Sequence, residues 1–242
     1  MTLLVAALVT GRPEAASAGP SCYSTLTNDW LCWQYVQDRQ DEIVHATWQH
    51  VEITVAAVLL AVVIAFPLAL VARRFPRLES SVLGVSTGIY TIPSLALFPL
   101  FLPFTGLTMT TVVLGLALYA LTILVRAMLD GLRSVPDDVR ESATGLGYGP
   151  TRMLFRIELP LALPVFMAGL RVATVSTVAL TTVGVLVSYG GLGNLIQHGV
   201  ARNFRAELFT ASVICVALAL VLDVLIVLTQ RLLTPWTRGA RA

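Results

Sequence analysis

The chain has 242 residues, of which 56% are hydrophobic and only 12% are charged, and its mean hydropathy is +0.80. About a quarter of the residues in a soluble domain are charged, so this composition predicts a membrane protein. The net charge of +2 is too small, and the arginines too scattered, to indicate a nucleic-acid partner. All 16 basic residues are arginine, and the absence of lysine excludes both a Walker A loop and Schiff-base chemistry.

Residues 1–50 turn polar after an apolar start. Residues 1–10 are too few to span a membrane and lack the basic start of a signal peptide. Residues 16–18 resemble a cleavage site, so removal of the preceding segment stays open. Three tryptophans in this segment are typical of a membrane interface; they are Trp30, Trp33 and Trp48.

Five apolar runs are long enough to cross a bilayer, because a helical span needs about 20 residues. In chain order they are residues 53–72, 82–103, 107–129, 164–188 and 208–230. The sequence therefore predicts an all-α polytopic membrane protein with about five transmembrane helices. Its membrane domain is expected over residues 51–230, followed by a tail over 231–242.

The distribution of arginine predicts the orientation. With the N-terminus outside, most arginines fall on the inner side, namely Arg73, Arg74, Arg77, Arg126, Arg133, Arg140, Arg152, Arg156, Arg231, Arg238 and Arg241. The outer side receives only Arg12, Arg39, Arg202 and Arg205. The positive-inside rule therefore places the loop over 130–163 and the tail in the cytoplasm, and residues 1–50 outside. Cys22 and Cys32 then lie outside, which favours a disulfide over two free thiols.

The loop over 130–163 interrupts the apolar pattern. Ser134 is expected to cap a helix over 135–146, with Asp137 completing a capping box. Gly147, Gly149 and Pro150 then break that helix. A second short helix is expected before Pro160, with its apolar residues toward the bundle and its charged residues toward water; these are Met153, Leu154 and Ile157, and Arg152, Arg156 and Glu158 respectively.

The spacing within this loop resembles a known signature. Glu141, Ser142 and Ala143 are followed after three residues by Gly147, and after nine more by Ile157, Leu159 and Pro160. This resembles the "EAA" motif in permease subunits of binding-protein-dependent ABC importers, with Ser142 where the family has alanine. On physical grounds alone, an ordinary amphipathic loop is the alternative.

Four further segments, 91–101, 118–121, 158–171 and 190–196, look like permeases for osmoprotectants such as glycine betaine, choline, carnitine or proline betaine. The resemblance covers roughly residues 50–230. It implies a helical bundle like that of a type I ABC importer permease, located in the cytoplasmic (inner) cell membrane. An importer for another solute such as an amino acid, or an ion-gradient-driven secondary transporter, remains as an alternative.

The resemblance also implies the partners and roles. ATP would be bound by a separate ATPase subunit, so the chain itself would hold no cofactor and be no enzyme. A separate extracytoplasmic substrate-binding protein and a second permease copy or sister permease would complete the complex. Glu141 would contact the ATPase, Gly147 would form the turn that presents the helix, and Ile157, Leu159 and Pro160 would anchor the loop to the bundle.

Several side chains within the spans have two interpretations. Hydroxyls at helical spacing suit either a translocation path or helix packing; they are Thr174, Thr177, Thr181 and Ser188. Aromatic rings suit either a quaternary ammonium solute or packing; they are Tyr90, Tyr119 and Tyr189.

Arg171 and Asp223 are expected at one depth in the membrane, which predicts a structural ion pair. His198 is expected in a solvated outer loop beside the glycine-rich turn over 190–194, where a receptor would dock. His45 and His50 have no metal-ligand companions at useful spacing, so no metal site is predicted.

Overall fold

The computed structural model describes residues 21–236, so the predictions for residues 1–10 and 16–18 and for the end of the tail lie outside the described residues. The described part is helical and contains no strand. Its α-helices, in chain order, are α1 (Trp33–Asp38), α2 (Gln40–Arg74), α3 (Pro76–Thr91), α4 (Ser94–Thr105), α5 (Met109–Arg133), α6 (Asp137–Gly145), α7 (Pro150–Met153), α8 (Leu159–Thr181), α9 (Leu192–Ala201) and α10 (Arg205–Leu233).

Within the described residues, four helical stretches are long and apolar enough to cross a membrane. They are Gln40–Arg74, Met109–Arg133, Pro150–Val187 and Arg205–Leu233. A fifth crossing exists if α3 and α4 count as one span, although these two helices bend by 98° at their junction. The expectation of one continuous span over 82–103 is therefore wrong.

Proline explains the bend between α3 and α4. Ile92 precedes Pro93 and has an extended backbone, with φ −68° and ψ 123°. A residue before proline is pushed out of the helical region by the proline ring, so α3 ends at this point. The sequence run is uniformly apolar, and hydropathy alone does not reveal such a break.

Helix α5 lies at the centre of the bundle between α2 and α8. Alanines at every fourth position of α2 are fully buried in the core that α2 forms with α5; among them are Ala61, Ala65 and Ala69. Small side chains on one face let two helix backbones approach closely, which replaces the hydrophobic driving force that lipid does not supply. Span α10 is the least covered of the four, with 11% of its apolar window buried within this chain.

Two local predictions for the cytoplasmic loop are wrong. Ser134 does not cap α6, because the loop places Pro136 at that position and the Ser134 hydroxyl donates to the Gly131 carbonyl of α5 at 2.8 Å. The second loop helix is not a separate element either. Helix α7 passes through a π-helical turn over Leu154–Glu158 into α8, which makes the stretch Pro150–Val187 continuous through Pro160.

The outer segment is folded against the end of the bundle. Cys22 and Cys32 form a disulfide with their Cα atoms 5.7 Å apart. The rings of Tyr23 and Tyr35 pack on Phe204, in the turn between α9 and α10. Burial raises the pKa of the Tyr35 hydroxyl, which keeps this ring neutral at physiological pH.

The Asn28 side chain bridges the outer segment and that same turn. It donates to the Asn203 carbonyl at 2.7 Å and accepts from the Arg205 amide at 3.0 Å. Together with the aromatic contacts, these hydrogen bonds hold residues 21–39 against α9 and α10.

Replacing Cys22 and Cys32 by serine is expected to loosen residues 21–39 while leaving the membrane spans folded. Removing a native disulfide from a small unit typically costs about 2–5 kcal/mol, and here the loss falls on a segment outside the main core. Amide hydrogen exchange should increase in residues 21–39 and stay unchanged in α5. Cys215→Ser is the matched control, and equal exchange in the two variants would contradict the expectation.

Candidate functional site

Helix α6 lies at the surface of the cytoplasmic loop with its first motif residues outward. Glu141 and Ser142 are exposed, whereas Ala143 is buried against the rest of the loop. Ala143 and Ser142 share a small cavity of about 290 Å³ with Ile157. The fold therefore brings the two halves of the motif together, with a small residue at the contact.

The turn after α6 requires glycine. Gly147 has φ +81°, and the Tyr148 amide donates to the Ala143 carbonyl at 3.0 Å, which closes the helix with a left-handed cap. A Cβ atom added at Gly147 would meet no described atom within 4 Å. The backbone angle, rather than lack of space, therefore selects glycine here.

Glu158 is a site residue that sequence reasoning places wrongly. Its side chain is fully buried instead of facing water. It forms ion pairs with Arg73, at the end of α2, and with Arg140 of α6, whose Nε lies 3.1 Å from Oε1. The guanidinium of Arg140 also donates to the Leu132 carbonyl at 2.7 Å and to Asp137 at 2.9 Å.

The π-helical turn explains the inward position of Glu158. A π turn holds one more residue than an α turn, so the side chains that follow it are rotated relative to a regular helix. A regular helical pattern groups Glu158 with Arg152 and Arg156, which are exposed. The available signal is the carboxylate itself, because an acidic residue at the start of an apolar span needs a positive partner.

The remaining anchor residues face the bundle. Leu159 and Pro160 line an apolar cavity of about 680 Å³ together with Phe155, Phe166 and Trp236. Both are half-buried. This region joins the loop to α2 and α5 on the cytoplasmic side, and its apolar character suits an anchoring role.

The structure separates the predicted hydroxyl residues into two groups. Thr174, Thr177 and Thr181 lie on one buried face of α8, and each hydroxyl donates to the carbonyl four residues earlier. Thr181 also contacts the hydroxyl of Thr54 in α2 at 3.2 Å. Ser188 is not on this face, because α8 gives way to a 3₁₀ turn over Thr182–Val187 and Ser188 itself is exposed with φ +65°.

Two of the predicted tyrosines meet. Tyr90 and Tyr119 pack edge to face with their ring centroids 5.6 Å apart, and the Tyr119 hydroxyl donates to the Ile92 carbonyl at the bend between α3 and α4. Tyr90 also lines a cavity of about 360 Å³ with Arg126 and Asp130. Tyr189 lies apart from them, beside the outer glycine turn.

Arg171 of α8 and Asp223 of α10 form a two-pronged ion pair within the membrane region. The Nε and Nη2 atoms of Arg171 lie 2.7 and 2.8 Å from the two carboxylate oxygens. The side chains remain 40% and 25% exposed in the single chain. Such a pair is unfavourable against lipid tails, so the exposed side requires a polar or protein neighbour.

The histidines have different surroundings. His198 lies in α9 rather than in a loop, and its Nδ1 is 2.9 Å from the nearly buried carboxylate of Glu207. His50 is fully buried, with Nε2 3.0 Å from the Val178 carbonyl. Within residues 21–236 no group of three or more His, Cys, Asp or Glu side chains is arranged to hold a metal ion.

Solved structures share this fold. The chain matches a subunit of the MetNI methionine ABC transporter, in an inward-facing conformation, with a TM-score of 0.71 and 20% identity. The match covers 82% of this chain and 99% of the other. At this identity the likeness shows the fold, which is that of a type I ABC importer permease.

Curated relatives are more similar in sequence. The choline transport system permease protein OpuBB of Bacillus subtilis is 32% identical over 84% of this chain and 93% of its own length. The osmoprotectant import permease protein OsmW of Salmonella typhimurium is 34% identical over 83% of this chain and 96% of its own length. The carnitine transport permease protein OpuCD of Listeria monocytogenes is 34% identical over 83% and 91%.

The family assignment follows from the whole membrane domain rather than from the loop motif alone. Residues 47–239 match the family described as "Binding-protein-dependent transport system inner membrane component". With its multi-pass helical fold and the relatives above, this chain belongs to that family of ABC importer permeases.

Proposed function

We propose that this permease moves a small osmoprotectant, such as choline, carnitine or glycine betaine, across the cytoplasmic membrane. The names of the relatives support this substrate class. The observation that carries the transport role is α6, an exposed helix tied to the ends of three spans and presented to the cytoplasm. A chain without lysine has no Walker A loop of its own, so ATP is bound by a separate ATPase subunit.

The ATPase docks on α6. Glu141 offers it an exposed carboxylate, and the left-handed turn at Gly147 fixes the end of the helix. Ile157, Leu159 and Pro160 secure the loop to the bundle from below. The arginine distribution supports this orientation, with the N-terminus outside and an extracytoplasmic binding protein delivering the solute near the glycine turn over 190–194.

A second permease, either another copy or a sister chain, covers the exposed side of the bundle. Span α10 is mostly uncovered in the single chain, and the ion pair between Arg171 and Asp223 lies partly open on that side. The solute path then runs between the two permeases. Tyr90 and Tyr119 supply aromatic rings to a passing quaternary ammonium group, while Thr174, Thr177 and Thr181 pack helices and only Ser188 and Tyr189 face the outer entrance.

Uptake in proteoliposomes containing the permease, its ATPase subunit and its binding protein tests the substrate class. Radiolabelled choline, carnitine and glycine betaine should each be tested against methionine. We expect ATP-dependent uptake of at least one quaternary ammonium compound and none of methionine. Methionine uptake without any quaternary ammonium uptake would contradict the proposed substrate class and favour the amino-acid alternative.

Gly147→Val is expected to abolish uptake while the permease stays in the membrane. A non-glycine residue with a positive φ costs about 1–2 kcal/mol and a branched one more, so the end of α6 should unwind and the ATPase subunit should no longer co-purify. Gly149→Val is the matched control, because Gly149 has φ −74° and open space around it. Glu141→Lys should also reduce co-purification; normal uptake by both Gly147→Val and Glu141→Lys would contradict the docking site.

Arg171→Gln and Asp223→Asn are each expected to lower the thermal stability of the permease in detergent. Each single change leaves a charge without its partner in the membrane, which is worse than losing both. The double variant should therefore be more stable than the sum of the two single losses predicts. Additive losses, measured as unfolding temperatures, would show that the pair contributes no coupling.

A further inference from the structure

Glu158 has an unusual environment for a carboxylate at the edge of a membrane span. The side chain has no exposed surface, and both arginines contact the same oxygen, Oε1. The other oxygen, Oε2, is buried and has no hydrogen-bond partner among the described residues. An unpaired buried acceptor is unfavourable, so this arrangement is one that a small shift of the neighbouring elements can improve.

Arg140 connects the exposed loop helix to this carboxylate. It immediately precedes Glu141, and its guanidinium group contacts Glu158, Asp137 and the Leu132 carbonyl. Leu132 belongs to the last turn of α5, whose terminal carbonyls have no partner within the helix. A displacement of α6 therefore changes the contacts of α5 and Glu158 together.

Arg73 connects the same carboxylate to α2. It lies in the last turn of α2, and its side chain is about one third exposed, at 35%. Glu158 in turn is the last residue of the π turn that leads into α8. One carboxylate thus joins α2, α6 and α8, and Arg140 adds α5.

The long helix after Glu158 can carry a displacement across the membrane. The stretch Pro150–Val187 is continuous over 38 residues, and its outer part contacts α2 through Thr181 and Thr54. Because packed helices move as units rather than deform gradually, a shift at the cytoplasmic end reaches the outer end of α8.

We infer that Glu158, held between Arg73 and Arg140, is the positioning residue that makes the coupling loop and spans α2, α5 and α8 move together when the ATPase acts on α6. This inference rests on the proposed docking role of α6 and adds a residue that contacts neither ATP nor solute. The charge of Glu158 carries the effect, because a neutral side chain of the same shape cannot hold two guanidinium groups equally well.

The test uses the full complex of permease, ATPase subunit and binding protein in proteoliposomes. Glu158→Gln keeps the shape of the side chain and removes its charge. We expect a normal amount of permease in the membrane and normal co-purification of the ATPase subunit. Uptake of the solute carried by the wild type should fall about tenfold, within the 5- to 150-fold range typical of coupling between sites. ATP hydrolysis should persist but no longer rise with the loaded binding protein.

Two further variants separate this role from simple stabilisation. Glu79→Gln is the matched control, since Glu79 also pairs with an arginine, Arg133, but remains partly exposed at 20%; uptake should stay close to that of the wild type. Arg73→Gln should reproduce the uncoupling of Glu158→Gln. Combining the two changes should add little to either, as expected for residues that act as one unit.

Three results would overturn the inference. The first is normal uptake and normal stimulation of ATP hydrolysis in Glu158→Gln. The second is a loss of uptake that matches a loss of folded permease, which would make Glu158 a stabilising residue only. The third is loss of ATPase co-purification, which would make it part of the docking site. If Gly147→Val and Glu141→Lys also transport normally, the docking role of α6 fails instead, so the two failures are distinguishable.

Discussion

A carboxylate that is cut off from water must be neutralised by nearby positive charge, and in this permease that requirement organises the cytoplasmic end of the bundle. Glu158 lies at the junction of loop and membrane, and its two arginines come from α2 and from α6. Breaking one such contact leaves an uncompensated buried charge, which costs far more than an exposed ion pair contributes. The loop therefore has one well-defined position relative to the spans.

The rest of the architecture suits the transmission of force from that position. Helix α5 is enclosed by α2 and α8, where small residues allow close backbone contact. Helix α8 continues from the loop to the outer side without a break. By contrast, α3 and α4 are bent at Pro93, and α10 is largely uncovered. The chain thus combines a rigid group of three spans with elements that a partner permease must complete.

Sequence reasoning succeeds where a pattern has one physical meaning. Apolar runs of sufficient length predict the membrane domain, and the loop spacing predicts the family, which the comparisons confirm. Membrane depth predicts the pairing of Arg171 with Asp223, compartment favours that of Cys22 with Cys32, and the structure brings both pairs together. In each case a single strong constraint, burial of charge or oxidation of thiols, acts on few residues.

It fails where neighbours decide the outcome. The bend at Pro93 is hidden in a uniformly apolar run, and Ser134 satisfies the carbonyls of the preceding helix rather than the amides of the next one. A regular helical pattern places Glu158 in water because it does not include a π turn. The partners of Glu158 lie 85 and 18 residues away in sequence, and no local pattern links residues at such distances.

If the cytoplasmic loop and α8 move as one body, a pulsed EPR distance measurement shows it most directly. Spin labels at Asp138 in α6 and Leu161 in α8, both exposed positions, would be placed in a Cys215→Ser background of the complete complex. The distance between the labels should be the same with and without bound ATP, and should become nucleotide-dependent in Glu158→Gln. A distance that already changes with ATP while Glu158 is intact would contradict the proposed coupling.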